Sequence, residues 1–260
     1  MLVAKFTLGA LAMGDYWFGG RTKNPWNLKY GSSGSSAGSA SATVAGLVPF
    51  AIGTETWGSI VSPSTTCGAT GLRPTFGSVS RTGAMALSYS LDKIGPICRS
   101  AADAAIVFNY IHGTDGKDGS AVNMPFNYSP QKDIHQLKIA YAKNYFDKIK
   151  DTSRNEFKVL EEFKKLGVKL IPVNFPDSGI YNFNIMDVVI GVECAAQFDE
   201  MTRLNIDDAL TRQTKNDWPN QFRTARFVPA VEYVNAQRHR YTLMQKVNEV
   251  DRKSTRLNSS

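Results

Sequence analysis

Serine hydroxyls do chemistry only where the chain exposes and activates them, and Ser59 occupies such a place. It closes the run Thr54-Glu55-Thr56-Trp57-Gly58-Ser59, which follows the apolar stretch Leu47–Ile52. A tight turn leaving a strand exposes a side-chain hydroxyl. Successive backbone N–H groups in a glycine-containing turn also converge into an anion-binding nest, here those of Thr56, Trp57, Gly58 and Ser59. Nucleophilic catalysis by a hydroxyl needs the nucleophile itself, donors for the anion that develops, and a base. Ser59 is the candidate nucleophile. Upstream, a second cluster, Gly31–Ser36, carries four more hydroxyls, on Ser32, Ser33, Ser35 and Ser36.

Taken alone, Gly31 to Ser39 also reads as a flexible Gly/Ser linker. Its continuation argues otherwise. Ala37 to Gly46 is a small-residue segment that suits a tightly packed helix. Leu47 to Ile52 is long enough for a buried strand, and a second Gly/Ser turn follows.

Two serine turns separated by a helix and a strand resemble the signature region of the amidase signature family. That pattern runs roughly Gly-Gly-Ser-Ser-Gly-Gly-Ser, an Ala-rich helix, a strand, then Gly-Thr-Asp-Thr-Gly-Gly-Ser-Ile. The blocks Cys67-Gly68-Ala69-Thr70-Gly71-Leu72-Arg73-Pro74-Thr75-Phe76-Gly77 and Ser90-Leu91-Asp92-Lys93-Ile94-Gly95-Pro96 resemble later parts of the same family. The likeness runs over about residues 3 to 250 and is strongest up to about 112. It implies a Ser-cisSer-Lys amidohydrolase acting on a small-molecule amide through an acyl-enzyme, with no cofactor. Ser59 is the implied nucleophile, and Thr56, Trp57, Gly58 and Ser59 form the oxyanion hole. Ser35 is the proton-relaying serine after a cis Gly34–Ser35 bond, its hydroxyl within hydrogen-bond reach of Ser59. Ser36 is a supporting hydroxyl. Register is counted back from the helix, because choosing Ser32 or Ser33 breaks the 24-residue separation between Ser35 and Ser59. The family's base is a lysine expected upstream of Lys5. The sequence thus reads as a fragment, with Met1 an internal start, and as inactive by itself. Two positions depart from the pattern: Trp57 replaces a glycine and Val61 an arginine. A side chain at 57 requires backbone angles that suit an L-residue, and its indole is a candidate wall for the substrate pocket. Alternatives are the glutamine-hydrolysing subunit of a tRNA-dependent amidotransferase, which Trp57 and Val61 disfavour, and a catalytically dead scaffold or binding module.

Competing chemistries have less behind them. A Ser-His-Asp triad would have to use His112, His135 or His239, which fall at a helix end, in a linker and among arginines. Gly31–Ser36 has no following Gly-Lys-Ser/Thr, so a phosphate loop is not indicated. Cys67, Cys98 and Cys194 lack metal-ligand spacing and read as buried free thiols, with no metal site expected. The net charge is +7. Residues 252–260 have no amphipathic period and resemble an artefactual adaptor-derived tail; setting its three cations aside leaves +4, dispersed without an aromatic-basic stripe. Nucleic acid is therefore not an expected partner. No apolar run of about 18 residues suggests a membrane span. Oligomeric state and location are not legible, a cytoplasmic place being only a default.

The rest of the chain completes an α/β architecture. The expected strands are residues 2–5, part of 72–79, 137–141 and 168–173; the expected helices are 7–13, 100–112, 153–166, 184–203 and 229–250. Residues 14–34, 60–68 and 80–99 read as loops or irregular turns, and 113–132 as a polar linker. Ser100 with Asp103, and Ser153 with Glu156, have capping-box spacing. Glu193 lies within the 184–203 helix and reads as a hydrogen-bonded structural carboxylate. The expectation is a mixed β-sheet covered by α-helices on both sides, incomplete, forming one partial domain over residues 1–251.

Overall fold

The computed structural model describes residues 2–131 and 133–254. The chain forms two compact units, residues 1–128 with 190–227 and residues 129–189 with 228–260. The break at 128/129 falls inside the polar 113–132 stretch. Of the tail set apart at 252–260, residues 255–260 lie outside the described residues.

In the first unit, short antiparallel pairs precede the first serine turn: β1 (Tyr16–Trp17) with β2 (Gly20–Arg21), and β3 (Lys23–Asn24) with β4 (Asn27–Gly31). Sequence expects a loop here. The pieces are too short to carry a hydrophobic period; across β1 and β2, Arg21 pairs with Asp15 and lies over the ring of Tyr16, its partner in the register. Upstream, the expected strand at 2–5 does not form, and the expected helix at 7–13 shrinks to one 3-10 turn at Ala10–Ala12 with Leu11 and Ala12 at positive φ. α1 (Ala37–Val44) is helical without a long apolar face because its small residues sink into the protein. Gly38 has its N–H on the Thr7 carbonyl, and a Cβ there would strike the Thr7 backbone.

Gly46, at φ +76°, ends the helix and delays the strand. Leu47 and Phe50 are exposed, and β5 runs over Ala51–Glu55 rather than 47–52. α2 (Val61–Cys67), β6 (Thr70–Gly71), β7 (Lys93–Cys98) and α3 (Ala101–Ile111) follow. The sheet order is β5-β7-β6, all antiparallel. β7 is thus central although Gly95-Pro96 marks it as loop in the sequence. The Pro96 carbonyl accepts from Leu72 N, so its ring nitrogen faces the β6 side, just beyond the last rung Gly71–Ile97. No bond to β5 is lost. α3 is capped as expected, with Ser100 Oγ accepting from Asp103 N at 3.1 Å. Ala40, Ile60, Cys67 and Ile97 form a core between α1, α2 and the sheet.

In the second unit, β8 (Ile139–Ala142) pairs in parallel with β9 (Leu170–Val173). Between them lie α4 (Lys143–Phe146) and α5 (Asn155–Lys165), the strand-helix-strand arrangement that a parallel pair requires. Ser153 does not cap α5: its hydroxyl donates to Asp151 Oδ1 at 2.6 Å, and the helix starts after Arg154. The expected 184–203 helix is two helices, α6 (Ile185–Gln197) and α7 (Asp199–Arg203), broken at Phe198; residues 185–189 belong to the second unit. α8 (Trp218–Ala225) is absent from the sequence-based expectations, although Asp217 and Pro219 mark its start. In the first unit Phe222 stacks on Trp218 and Phe198, each 5.3 Å away, over Leu87, Cys194 and Ala195. α9 (Ala230–Ser254) packs on β9 and on the turn Gly179–Tyr181. Among the described residues, no helix is long and apolar enough to cross a membrane.

Candidate active site

The two serine turns meet beside β5. Ser36 N donates to the Ser59 carbonyl at 3.1 Å. Ser36 Oγ donates to Thr54 O and accepts from Thr54 N, both at 3.0 Å, and one turn along α1 Ser39 Oγ donates to Ile52 O at 2.8 Å. These bonds fix the spacing between the turns. The Gly34–Ser35 peptide is cis. Ser35 is 1% exposed, and its carbonyl accepts from Gly9 N and Ala37 N. A Cβ on Gly34 would collide with the Gly14 backbone, so only glycine fits before Ser35. Ser35 Oγ is buried without a hydrogen-bond partner among the described residues. The expected hydrogen bond to Ser59 is therefore not made in this structure.

The neighbouring hydroxyls are occupied. Ser32 Oγ donates to Ser33 O at 2.8 Å, and Ser33 Oγ lies 2.7 Å from Ser62 Oγ. Asp15, which no motif in the sequence singles out, orders this turn: it accepts from Ser33 N and pairs with Arg21 at 3.1 Å.

Ser59 is 8% exposed. Gly58 before it has φ +94°, a conformation open to glycine and strained for other residues. Trp57 is not at positive φ, which is why a side chain is tolerated where the pattern has glycine. Among the described residues, none of the N–H groups of Thr56, Trp57, Gly58 and Ser59 donates to a protein acceptor. The next two are satisfied: Ile60 N and Val61 N donate to the buried Glu55 carboxylate at 2.8 and 2.9 Å. Glu55 lies 3.6 Å from Arg73 Nε. An acid five residues back thus caps α2, the helix expected to be an irregular turn.

A cavity of about 500 Å³ opens beside the end of β5, lined by Thr54, Thr56, Leu11, Met85, Tyr89 and Phe198 among others. Trp57, 55% exposed, is not among its walls. Arg81, also lining it, is committed within the protein, donating to Asp118, Ser120 and the Tyr89 carbonyl. The Arg81 guanidinium holds the Asp118 carboxyl well below the usual carboxylate range. Glu193 accepts from Ser88 Oγ, Ser90 N and Ser90 Oγ, a hydrogen-bonded carboxylate as its helix setting suggests. Neither His112, on the Phe108 and Asn109 carbonyls, nor His135, on Asp133, bonds to a serine of the two turns.

Comparison with known proteins decides the family. The model of the family described as Amidase matches residues 7–259. The chain belongs to the amidase family. Relatives of this amidase chain include a glutamyl-tRNA(Gln) amidotransferase subunit of Halalkalibacterium halodurans, 40% identical over 188 residues, which are 66% of this chain and 38% of that protein. Among solved structures, the corresponding glutamyl-tRNA(Gln) amidotransferase subunit from Thermotoga maritima superposes with TM-score 0.80 at 29% identity, over 98% of this chain and 56% of that one. The peptide amidase of Stenotrophomonas maltophilia superposes with TM-score 0.69 at 26% identity, over 90% and 54%. The amidase chain thus spans little more than half of these structures and 38% of the curated relative. Its α/β fold is theirs.

Proposed function

We propose that this chain carries the serine part of an amide hydrolase. Ser59 attacks a carboxamide carbonyl, and the N–H groups of Thr56, Trp57, Gly58 and Ser59 receive the oxyanion. Ser35 takes the Ser59 proton and passes it to the leaving ammonia or amine. Water then hydrolyses the acyl-enzyme, and Ser36 holds the two turns in register. The observation behind this reading is the joining of the two turns by Ser36, with four undirected N–H groups on one of them. Ser35 needs a base, and no described residue bonds to its hydroxyl. The lysine that the family resemblance expects upstream of Lys5 is the proposed base, so the present chain turns over poorly by itself. The test assays residues 1–251 and an upstream-extended form side by side on small aryl amides. Comparable turnover by both would place the base within the present chain and remove the lysine assignment.

A second reading shares this chemistry and is favoured by the names of the relatives: a glutamine-hydrolysing subunit that works with partners in tRNA-dependent amidation. Ammonia release from glutamine that rises with added partner subunits, with little turnover of aryl amides, would select it.

A further inference from the structure

The buried cation beside the second serine turn has no role in the chemistry above. Lys93 is 9% exposed and opens β7, paired with Glu55 at the last rung of the β5–β7 ladder. One residue beyond that rung, Thr56 is gripped twice. Its Oγ1 donates to Asp92 Oδ1 at 2.5 Å, while Asp92 Oδ2 accepts from Leu87 N and Ser88 N. Its carbonyl accepts from Lys93 Nζ at 3.5 Å, and the same ammonium also donates to the Leu91 carbonyl.

We infer that Lys93 is a positioning residue for the oxyanion hole, acting through the Thr56–Trp57 peptide. In a trans peptide the carbonyl and the following N–H point in opposite directions. Drawing the Thr56 oxygen towards Lys93 turns the Trp57 N–H away from it, to the side left without a protein acceptor. A cation on the carbonyl also polarises the amide and strengthens its N–H as a donor. The gain is largest when negative charge develops on the substrate oxygen, so the effect belongs to the transition state. The inference rests on Ser59 being the nucleophile.

The test compares Lys93→Met, Lys93→Gln and Lys93→Arg with wild type and Ser59→Ala in the full-length enzyme. Readouts are kcat, KM, the rate of fluorophosphonate labelling and the melting temperature. Lys93→Met is expected to lower kcat and the labelling rate about 10- to 100-fold with KM nearly unchanged, on the scale of weakening one oxyanion donor. Lys93→Arg should recover most of the loss. Lys93→Gln, a neutral donor, should fall between them, and it carries the test if the methionine variant does not fold. If Ser59→Ala is inactive while the folded Lys93 variants keep wild-type kcat and differ only in melting temperature, the positioning role is overturned and the Ser59 reading stands. If Ser59→Ala keeps its turnover, the nucleophile reading falls and takes this inference with it.

Discussion

Ser35 and Ser59 are both buried, yet they differ in what their removal should do. In the full-length enzyme, the proposed mechanism expects Ser59→Ala to abolish amide hydrolysis and fluorophosphonate labelling; label retained in that variant would move the nucleophile to Ser32, Ser33 or Ser36. Those three hydroxyls are already bonded to protein groups, which argues against their being attackers. Ser35→Ala should cost about 10²- to 10⁴-fold in rate, the usual worth of general acid–base help. In the present chain it should not cost stability, because the hydroxyl removed has no partner among the described residues; a gain of up to about 1 kcal/mol in urea unfolding is expected. A destabilised Ser35→Ala would mean that the hydroxyl is bonded in solution. The spacing of the serines is readable in the sequence. Asp15 is not, because no local motif carries it; Asp92 and Lys93 stand in a block that resembles the family, yet their grip on Thr56 arises only when β7 pairs with β5.

Among the elements, α2 has the least ordinary cap. Glu55 replaces the usual hydroxyl or amide, receiving two N–H groups that would otherwise be left unsatisfied. Glu55→Ala should cost about 2 kcal/mol or more in unfolding free energy, against about 1 kcal/mol for removing the ordinary cap in Ser100→Ala. Equal losses in chemical denaturation would show that the α2 cap is no more than a surface contact. The same contrast separates what is legible in sequence from what is not. α3, α5 and the β8–β9 pair carry their own caps, periods or stops. α2 borrows its cap from β5, and β7 conceals a central strand behind Gly95-Pro96, whose missing donor matters only where the ladder has ended. The Leu47–Phe50 run misleads in the opposite sense, with Leu47 and Phe50 apolar yet exposed.

For the molecule as a whole, the three cysteines are free and buried. Burial pushes the Cys67 and Cys98 thiols up to about 11 and Cys194 up to about 12. A raised folded pKa means that the folded state resists losing the proton, so stability is intact below about 9 and falls as pH climbs towards 11–12. The melting temperature should decline over that alkaline range, with a shallower decline in Cys194→Ala. Aromatic disulfide reagents at pH 8 should modify the native protein slowly and the urea-unfolded protein quickly. Rapid titration of all three thiols in the native state would contradict the packing of α1, α2, α3 and α6 around them.

The serine face of α1 has a consequence for solubility. Among the described residues, β5 pairs with a strand, β7, along one side only, and an unpaired strand side is where another strand can add. Ser36 occupies both the N–H and the carbonyl of Thr54, and Ser39 the carbonyl of Ile52. Two hydroxyls, one just before α1 and one in its first turn, thereby do the work of a neighbouring strand at these groups. The residues that hold the two turns in register therefore also withdraw three of β5's outward backbone groups from pairing, and Ser36→Ala or Ser39→Ala is expected to raise aggregation in light scattering.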